Sequence, residues 1–247
     1  MSARKVSILD TTTRDGRQGL VNPDQARQNG DPIRAAVKYA LASSDFGCGY
    51  MDAGFSFHNN GAQVRAIAEA HSNNPSMSIL SFTRAIKKDI DHAVSCVESA
   101  KRSGVAILVS PSNSHAVKFA GRYPDLTPAQ IQDQKMGPKF VDACKHAAGA
   151  RESGLITNVF AYIEDSTRMT DTDQIKRCAD MCRHLIDAGV DIISLPDTMG
   201  VADPEEYVDL FRAVHEFLGP DYAQKILWSA HCHKDFGMGM ANTMAAA

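Results

Sequence analysis

Apolar and polar positions alternate between two periods along this chain. Short apolar runs rich in β-branched residues stand at Val6–Asp10, Tyr50–Phe55, Met77–Phe82, Val105–Ser110, Thr157–Tyr162, Asp191–Leu195 and Ile226–Ala230. Such runs, bounded by turn residues, predict buried strands. Between them the helical period predicts helices over Ile33–Ser44, Gln63–Ser72, Lys88–Ser103, Pro128–Ser153, Thr172–Ala188 and Pro204–Leu218, and Ala241–Ala247 reads as the first turns of a seventh. Asp203-Pro204-Glu205-Glu206 has the make-up of a helix start: Asp as N-cap, Pro at the first position, acids in the first turn. Ala188-Gly189-Val190 reads as a helix end running into a strand, and Asn29-Gly30-Asp31-Pro32 as a turn.

A repeat of strand and helix without a low-complexity linker predicts one α/β domain over 1–247 with a parallel sheet. The choice lies between a TIM (β/α)₈ barrel and an open doubly wound sheet. No Gly-x-Gly-x-x-Gly follows the first strand, which weighs against a dinucleotide fold. Polar residues collect just after the strands, at Arg14-Asp15, Phe55–Asn60, Ser110–His115, Glu164-Asp165, Asp197-Thr198 and His231–Asp235. Barrel enzymes build their sites at that end of the sheet. The expectation is therefore a barrel truncated after its seventh strand, an incomplete sequence lacking any C-terminal regulatory domain. The alternatives are a different strand pairing or a partner chain that closes the gap, because open sheet edges are seldom left unprotected.

Composition narrows the function classes. The 247 residues are 44% hydrophobic and 22% charged, with a formal net charge of −3. That balance gives no reason to expect a nucleic-acid or membrane partner. No apolar run is long enough to cross a bilayer, and the start lacks a secretory apolar segment. The six cysteines form no Cys-x-x-Cys pair and no zinc-finger spacing, and Cys178 and Cys182 read as buried neighbours on one helix. A reducing, cytoplasmic setting fits this usage.

The most informative chemistry lies in His231-Cys232-His233. Residues two apart on a strand point to the same side. Both imidazoles can face one point while Cys232 faces away, which supplies part of a divalent metal site. Near the other end, Arg14 and Asp15 follow the first strand. A carboxylate there can join the two histidines in mixed O/N ligation. Arg14 brings a fixed charge and a fork of donors for a developing oxyanion. Taken alone, the pair reads more readily as a surface ion pair, since such pairs are common.

Asp10-Thr11-Thr12-Thr13-Arg14-Asp15-Gly16-Arg17-Gln18, with His231-Cys232-His233-Lys234-Asp235-Phe236-Gly237 far downstream, resembles the DRE-TIM metallolyase superfamily. Its members include the 2-isopropylmalate, homocitrate and citramalate synthases and the 3-hydroxy-3-methylglutaryl-CoA lyases; the synthases of the first kind resemble this chain most. Ser81–Ala85, Glu164–Arg168, Leu195–Gly200 and Trp228–Ala230 support the likeness in the same order along the chain. The resemblance implies Asp15, His231 and His233 as metal ligands, with Mn²⁺, Mg²⁺ or Zn²⁺ as the ion. It implies Arg14, Glu164 and His115 as catalytic residues and Gln18, Asp52, Arg84 and Thr198 as substrate-binding residues. It further implies acetyl-CoA as co-substrate, a 2-keto acid as partner, and a homodimer at full length.

The implied reaction is addition of the acetyl-CoA methyl carbon to the keto carbon, followed by thioester hydrolysis. Which group removes the methyl proton stays open, since a base must lie within hydrogen-bond reach of it. A carbon–carbon lyase is the rival enzyme reading, and a non-catalytic barrel fragment the rival from another class. Three positions depart from the family pattern: Arg17 for a usual glutamate, Asp52 for a usual glutamate, and Lys234 for a usual asparagine. Positive charge at Arg17 and Lys234 weakens cation binding or favours a more anionic substrate. The stretch from Val21 to Gly49 is also longer than the family's.

Overall fold

In a computed structural model, residues 6–16, 31–57 and 61–247 are described. Seven strands and seven principal helices alternate: β1 (Leu9–Asp10), α1 (Pro32–Phe46), β2 (Tyr50–Phe55), α2 (Gly61–Ala70), β3 (Ser78–Arg84), α3 (Lys87–Val97), β4 (Ser103–Val109), α4 (Gly137–Glu152), β5 (Asn158–Ile163), α5 (Thr172–Asp187), β6 (Ile192–Asp197), α6 (Pro204–Leu218), β7 (Leu227–Cys232) and α7 (Gly239–Ala246). The strands are hydrogen-bonded in chain order, β1 to β7. This is the strand–helix order of a TIM barrel carried through seven strands, with β1 and β7 at the ends of the order. The chain falls into two compact units, Met1–Ala106 with Gly149–Asn158, and Ile107–Ala148 with Val159–Ala247.

In the first unit β1 pairs with β2 and β2 with β3, all parallel. Met51, Asp52 and Ala53 have no exposed surface, as expected of a parallel strand covered on both faces. The register slips between Asp52 and Gly54, a bulge that re-aims the side chains around it. The Ala53 carbonyl accepts a hydrogen bond from Gln63 Nε2 at 2.7 Å, so α2 covers the irregularity. Helix α1 starts as its sequence directs: Asp31 Oδ1 accepts from the Ile33 and Arg34 amides, and Pro32 follows at the first position. Asn29 and Gly30 lie outside the described residues. At Gly104 a Cβ would stand 2.5 Å from the Asn158 carbonyl oxygen; only glycine allows that approach.

Two boundaries differ from the sequence reading here. Strand β1 is only Leu9–Asp10, and Val6 and Ile8 before it are 62% and 50% exposed. The helix expected over Lys88–Ser103 stops at Val97. The Lys101 amide turns to His71 O and Arg102 O accepts from the Ile79 amide, so the chain has joined the sheet before Ser103.

In the second unit β5 pairs with β6 and β6 with β7, parallel throughout. Helix α6 begins with a capping box: Asp203 Oδ1 accepts from the Glu206 amide and Glu206 Oε2 from the Asp203 amide. Cys178 and Cys182 are fully buried on α5, and contact between the thiols together with burial raises the Cys182 pKa. The stretch expected as one helix over Pro128–Ser153 is helical without a gap to Glu152 but carries a π turn. Pro128–Ile131 is one α-turn, Gln132–Met136 a π turn, and α4 begins only at Gly137. Around β7 and α7, Leu227, Phe236, Met240 and Met244 are well exposed. No helix among the described residues is long and apolar enough to cross a membrane.

Candidate active site

The residues after β1 form a tight turn: the Arg14, Asp15 and Gly16 amides all donate to Thr11 O. Asp10 Oδ1 accepts from the Thr12 amide and Oδ2 from the Ser43 hydroxyl. Burial raises the Asp10 carboxyl, but the bonds from Ser43 and Thr12 outweigh it and hold the pKa below the usual aspartate value. The turn is pinned from below as well, by Thr13 Oγ1 donating to Asp52 O at 2.9 Å and Gln63 Nε2 to Thr13 O at 3.2 Å.

This frame fixes Arg14. Its Nε donates to Asp52 Oδ2 at 2.7 Å, and its Nη1 lies 3.1 Å from Asp15 Oδ1. The guanidinium stacks 4.4 Å from the centroid of Phe82 on β3, a contact that suits its planar, weakly hydrated cation. Arg14 is 11% exposed and Asp52 not at all. Arg84 closes β3 differently. Its Nε sits 2.6 Å from Asp89 Oδ2 in the first turn of α3, its guanidinium lies over Phe57, and it is 42% exposed. Gln18 and Arg17 lie outside the described residues.

In the second unit, β4 runs into Ser110, Pro111 and Ser112, all buried. Ser112 caps a one-turn helix, Asn113–Ala116, accepting from the His115 amide at 3.1 Å. That turn aims His115 back at the end of β5, where its Nδ1 is 3.3 Å from Glu164 Oε2. The His115 contact lowers the Glu164 pKa against the burial that would raise it, with Lys118 and Arg168 adding to the effect. The next residue, Asp165, has φ 63°. This left-handed conformation in a non-glycine residue is uncommon, though aspartate tolerates it better than most. It turns the chain so that the Asp165 amide donates to Thr198 Oγ1 at 3.0 Å, while Ser112 Oγ and Arg168 Nη2 reach its carboxylate.

Thr198 follows the end of β6, and Asp197 before it is the buried anchor. Its oxygens accept from Thr167 Oγ1, the Val201 and Ala202 amides and Asn242 Nδ2. At the end of β7, His231 and His233 lie side by side, ring centroids 5.2 Å apart and planes at 79°. Tyr162 of β5 packs edge-on to His231 at 5.7 Å. Beneath, the His231 amide donates to Tyr207 OH, which donates to Leu195 O. Burial raises the Tyr207 pKa, so the phenol stays neutral. The Cys232 thiol instead engages Tyr207 and Thr243, and burial raises its pKa.

The first unit thus brings together Arg14, Asp15 and Asp52, with Arg84 committed to its own ion pair. The second brings together His115 and Glu164, joins Thr198 to Asp165, and pairs His231 with His233. Phe82 beneath Arg14 and Asp197 beneath Thr198 had no role assigned from sequence. A Phe two residues before a strand-end arginine and an acid before a threonine are too common to signal these contacts.

The HMGL-like family model matches residues 5–247. The chain is similar to the 2-isopropylmalate synthase of Caulobacter vibrioides (strain NA1000 / CB15N), with 32% identity over 243 residues, 98% of this chain and 41% of that protein. It is similar to the 2-isopropylmalate synthase of Methylobacterium nodulans at 33% identity over 246 residues, 99% of this chain and 42% of that protein. The chain spans about two fifths of the length of these relatives. Among solved structures, HMG-CoA lyase from Bacillus subtilis superposes with a TM-score of 0.68 at 16% identity, covering 99% of this chain and 74% of that one. The carboxyl transferase domain of Rhizobium etli pyruvate carboxylase with pyruvate gives 0.61 at 18% identity, covering 99% and 38%. These two share the fold.

Proposed function

Because the chain belongs to the HMGL-like family, we propose that it carries the catalytic face of a metal-dependent enzyme condensing an acyl-CoA with a 2-keto acid, of the 2-isopropylmalate synthase kind. The observation that carries this reading is the adjoining imidazole pair of His231 and His233 on one strand end. Each histidine offers a ring nitrogen, and Asp15, half-buried after β1, is the carboxylate that the family resemblance adds as the third ligand. When bound, a divalent ion there acts as a Lewis acid toward a keto acid.

The remaining work falls to the chain's own side chains. Arg14, held by Asp52 and Phe82, presents a pre-oriented cation to negative charge growing on the keto oxygen. Such a group costs no reorganisation at the moment of reaction. Thr198 holds the keto acid's carboxylate. His115 and Glu164 stand in contact and pass a proton between themselves and substrate. Asp52, without exposed surface, serves by holding Arg14. Relatives named 2-isopropylmalate synthase at 32–33% identity support the condensation reading.

The test is incubation of the 247-residue chain with Mn²⁺, acetyl-CoA and a panel of 2-keto acids, following free CoA. Metal-dependent and keto-acid-dependent release is the expected result. Release that ignores the keto acid, or is unchanged by a chelator, overturns the reading. Offering 3-hydroxy-3-methylglutaryl-CoA in the same assay separates condensation from cleavage.

A further inference from the structure

The loop that carries His115 is held from behind by side chains that touch neither His115 nor Glu164. Gln132 Nε2 donates to Ser112 O at 2.7 Å. Gln174 Oε1 accepts from the Asn113 amide at 3.3 Å, and Arg177 Nη1 donates to Asn113 Oδ1 at 3.2 Å. Arg177 is itself fixed by Asp133, 2.9 Å from its Nε. Ser112, at the centre of this set, caps the turn that aims His115 at Glu164.

Gln132 is the unusual member. It is 1% exposed and opens the π turn, Gln132–Met136, within the expected helix. A π turn is rare inside an α-helix and is frequently found at functional sites. The residue after it is Gly137, where a Cβ would meet Gln132 O at 3.0 Å and Met181 Cε at 3.2 Å. Gln132 Oε1 is buried with no hydrogen-bond partner among the described residues, an arrangement native proteins avoid unless something else requires it. A regular helix advances each residue by a fixed rotation, and the widened turn changes where Gln132 faces. Pro138, which lacks an amide donor and crowds the carbonyl four residues back, accounts for the widened turn, and the turn leaves the Gln132 amide on the Ser112 carbonyl.

We propose that Gln132, buried in the π turn and bonded to the Ser112 carbonyl, is a positioning residue for the His115–Glu164 pair. The inference rests on the reading of that pair as the proton-handling groups. It extends that reading to a residue on the far side of the loop. Loss of the Gln132 bond leaves the Ser112 carbonyl held by the Ala116 amide alone, loosens the one-turn helix, and lets His115 swing away from Glu164.

The experiment is a carboxyl ¹³C NMR titration of Glu164 in the 247-residue chain, comparing wild type, Gln132→Met and His115→Ala. The groups acting on Glu164 are His115 and Lys118 from the segment after β4 and Arg168 from the segment after β5; Asp165 is its chain neighbour. Since the His115 contact lowers the Glu164 pKa, Gln132→Met raises it, in the same direction as His115→Ala and by less. A folded Gln132→Met chain with an unchanged Glu164 midpoint overturns the proposal. If that variant does not fold, Gln174→Ala replaces it, with a rise supporting the proposal and no change refuting it. No substrate takes part. A chain that fails to release CoA but shows the shift loses the functional reading alone, and an active chain without it loses this inference alone.

Discussion

Arg14 Nε and Asp52 Oδ2 are 2.7 Å apart, and Asp52 has no exposed surface at all. A guanidinium and a carboxylate this dry support each other, and breaking a buried pair from one side is costly. Asp52→Ala therefore destabilises the chain by about 3–5 kcal/mol, the usual cost of breaking a buried pair from one side. Urea unfolding followed by circular dichroism measures it. A loss under about 1 kcal/mol, the range of exposed pairs, would mean that water reaches the pair in solution.

The same pairing sets the expectation for Arg14→Lys. An ammonium keeps the charge but loses the planar fork, the Asp52 geometry and much of the contact with Phe82. Turnover in the CoA-release assay falls by about 10²–10³-fold, with a far smaller change in the KM for the keto acid. A variant with full turnover leaves Arg14 as a structural ion pair.

The strand–helix order was legible from periodicity because each buried strand, such as Tyr50–Phe55, is a compact apolar run between turn signals. The contact made at the π turn was not. Gly137-Pro138 opposes a regular helix at Gln132–Met136, but no local pattern announces that Gln132 bonds to Ser112, twenty positions away. His231 and His233 could be picked out because their spacing carries their geometry. His115 and Glu164 could each be named from resemblance, but their contact depends on the Ser112 cap and the end of β5, which no local pattern encodes. Phe82 and Asp197 escaped for the same reason: their roles are set by neighbours remote in sequence.

Metal binding gives a prediction that needs no turnover. Mn²⁺ added to the chain binds at one tight site, read by calorimetry or by loss of the free-ion paramagnetic signal. His231→Ala weakens that site by at least about tenfold, since even residues one step removed from a metal cost about 10–100-fold when replaced. Cys232→Ser, whose side chain engages Tyr207 and Thr243, leaves the affinity unchanged. Equal affinity in wild type and His231→Ala would remove His231 from the ligand set.

Glu164 predicts a limb of the pH–stability curve. Its pKa in the folded chain lies below the ordinary glutamate value of 4.5. The folded state therefore binds this proton less readily than the unfolded state, and the contribution is fully present above the unfolded pKa. It is lost as pH falls from that value through the lowered folded one. Glu164→Gln flattens this acid limb and leaves the slope near neutrality alone. Thermal unfolding between about pH 3 and pH 7 measures both parts of the curve. An acid limb with the wild-type slope in the variant would mean that His115 does not hold Glu164 in solution.

Gly104 offers a test of packing alone. Its missing Cβ leaves room for the Asn158 carbonyl, which would otherwise be 2.5 Å away, with Leu80 at 2.9 Å. Gly104→Ala forces backbone against backbone and destabilises by about 1–3 kcal/mol, the range for overpacked cores. Thermal unfolding decides it, and an unchanged midpoint would show that the strands separate without cost.

Asp197 has a consequence for how such a chain can change its diet. Four donors from three separate stretches converge on its two oxygens, and Thr198 next to it is tied to the Asp165 amide. The backbone beneath Thr198 has no slack with which to reshape itself around a new keto acid. On the role proposed for Thr198, selectivity at this position is discrete, altered by exchanging the side chain at 198 and not by drifting the loop. A library randomised at Thr198 explores substrates, while one randomised at Asp197 mostly explores unfolding.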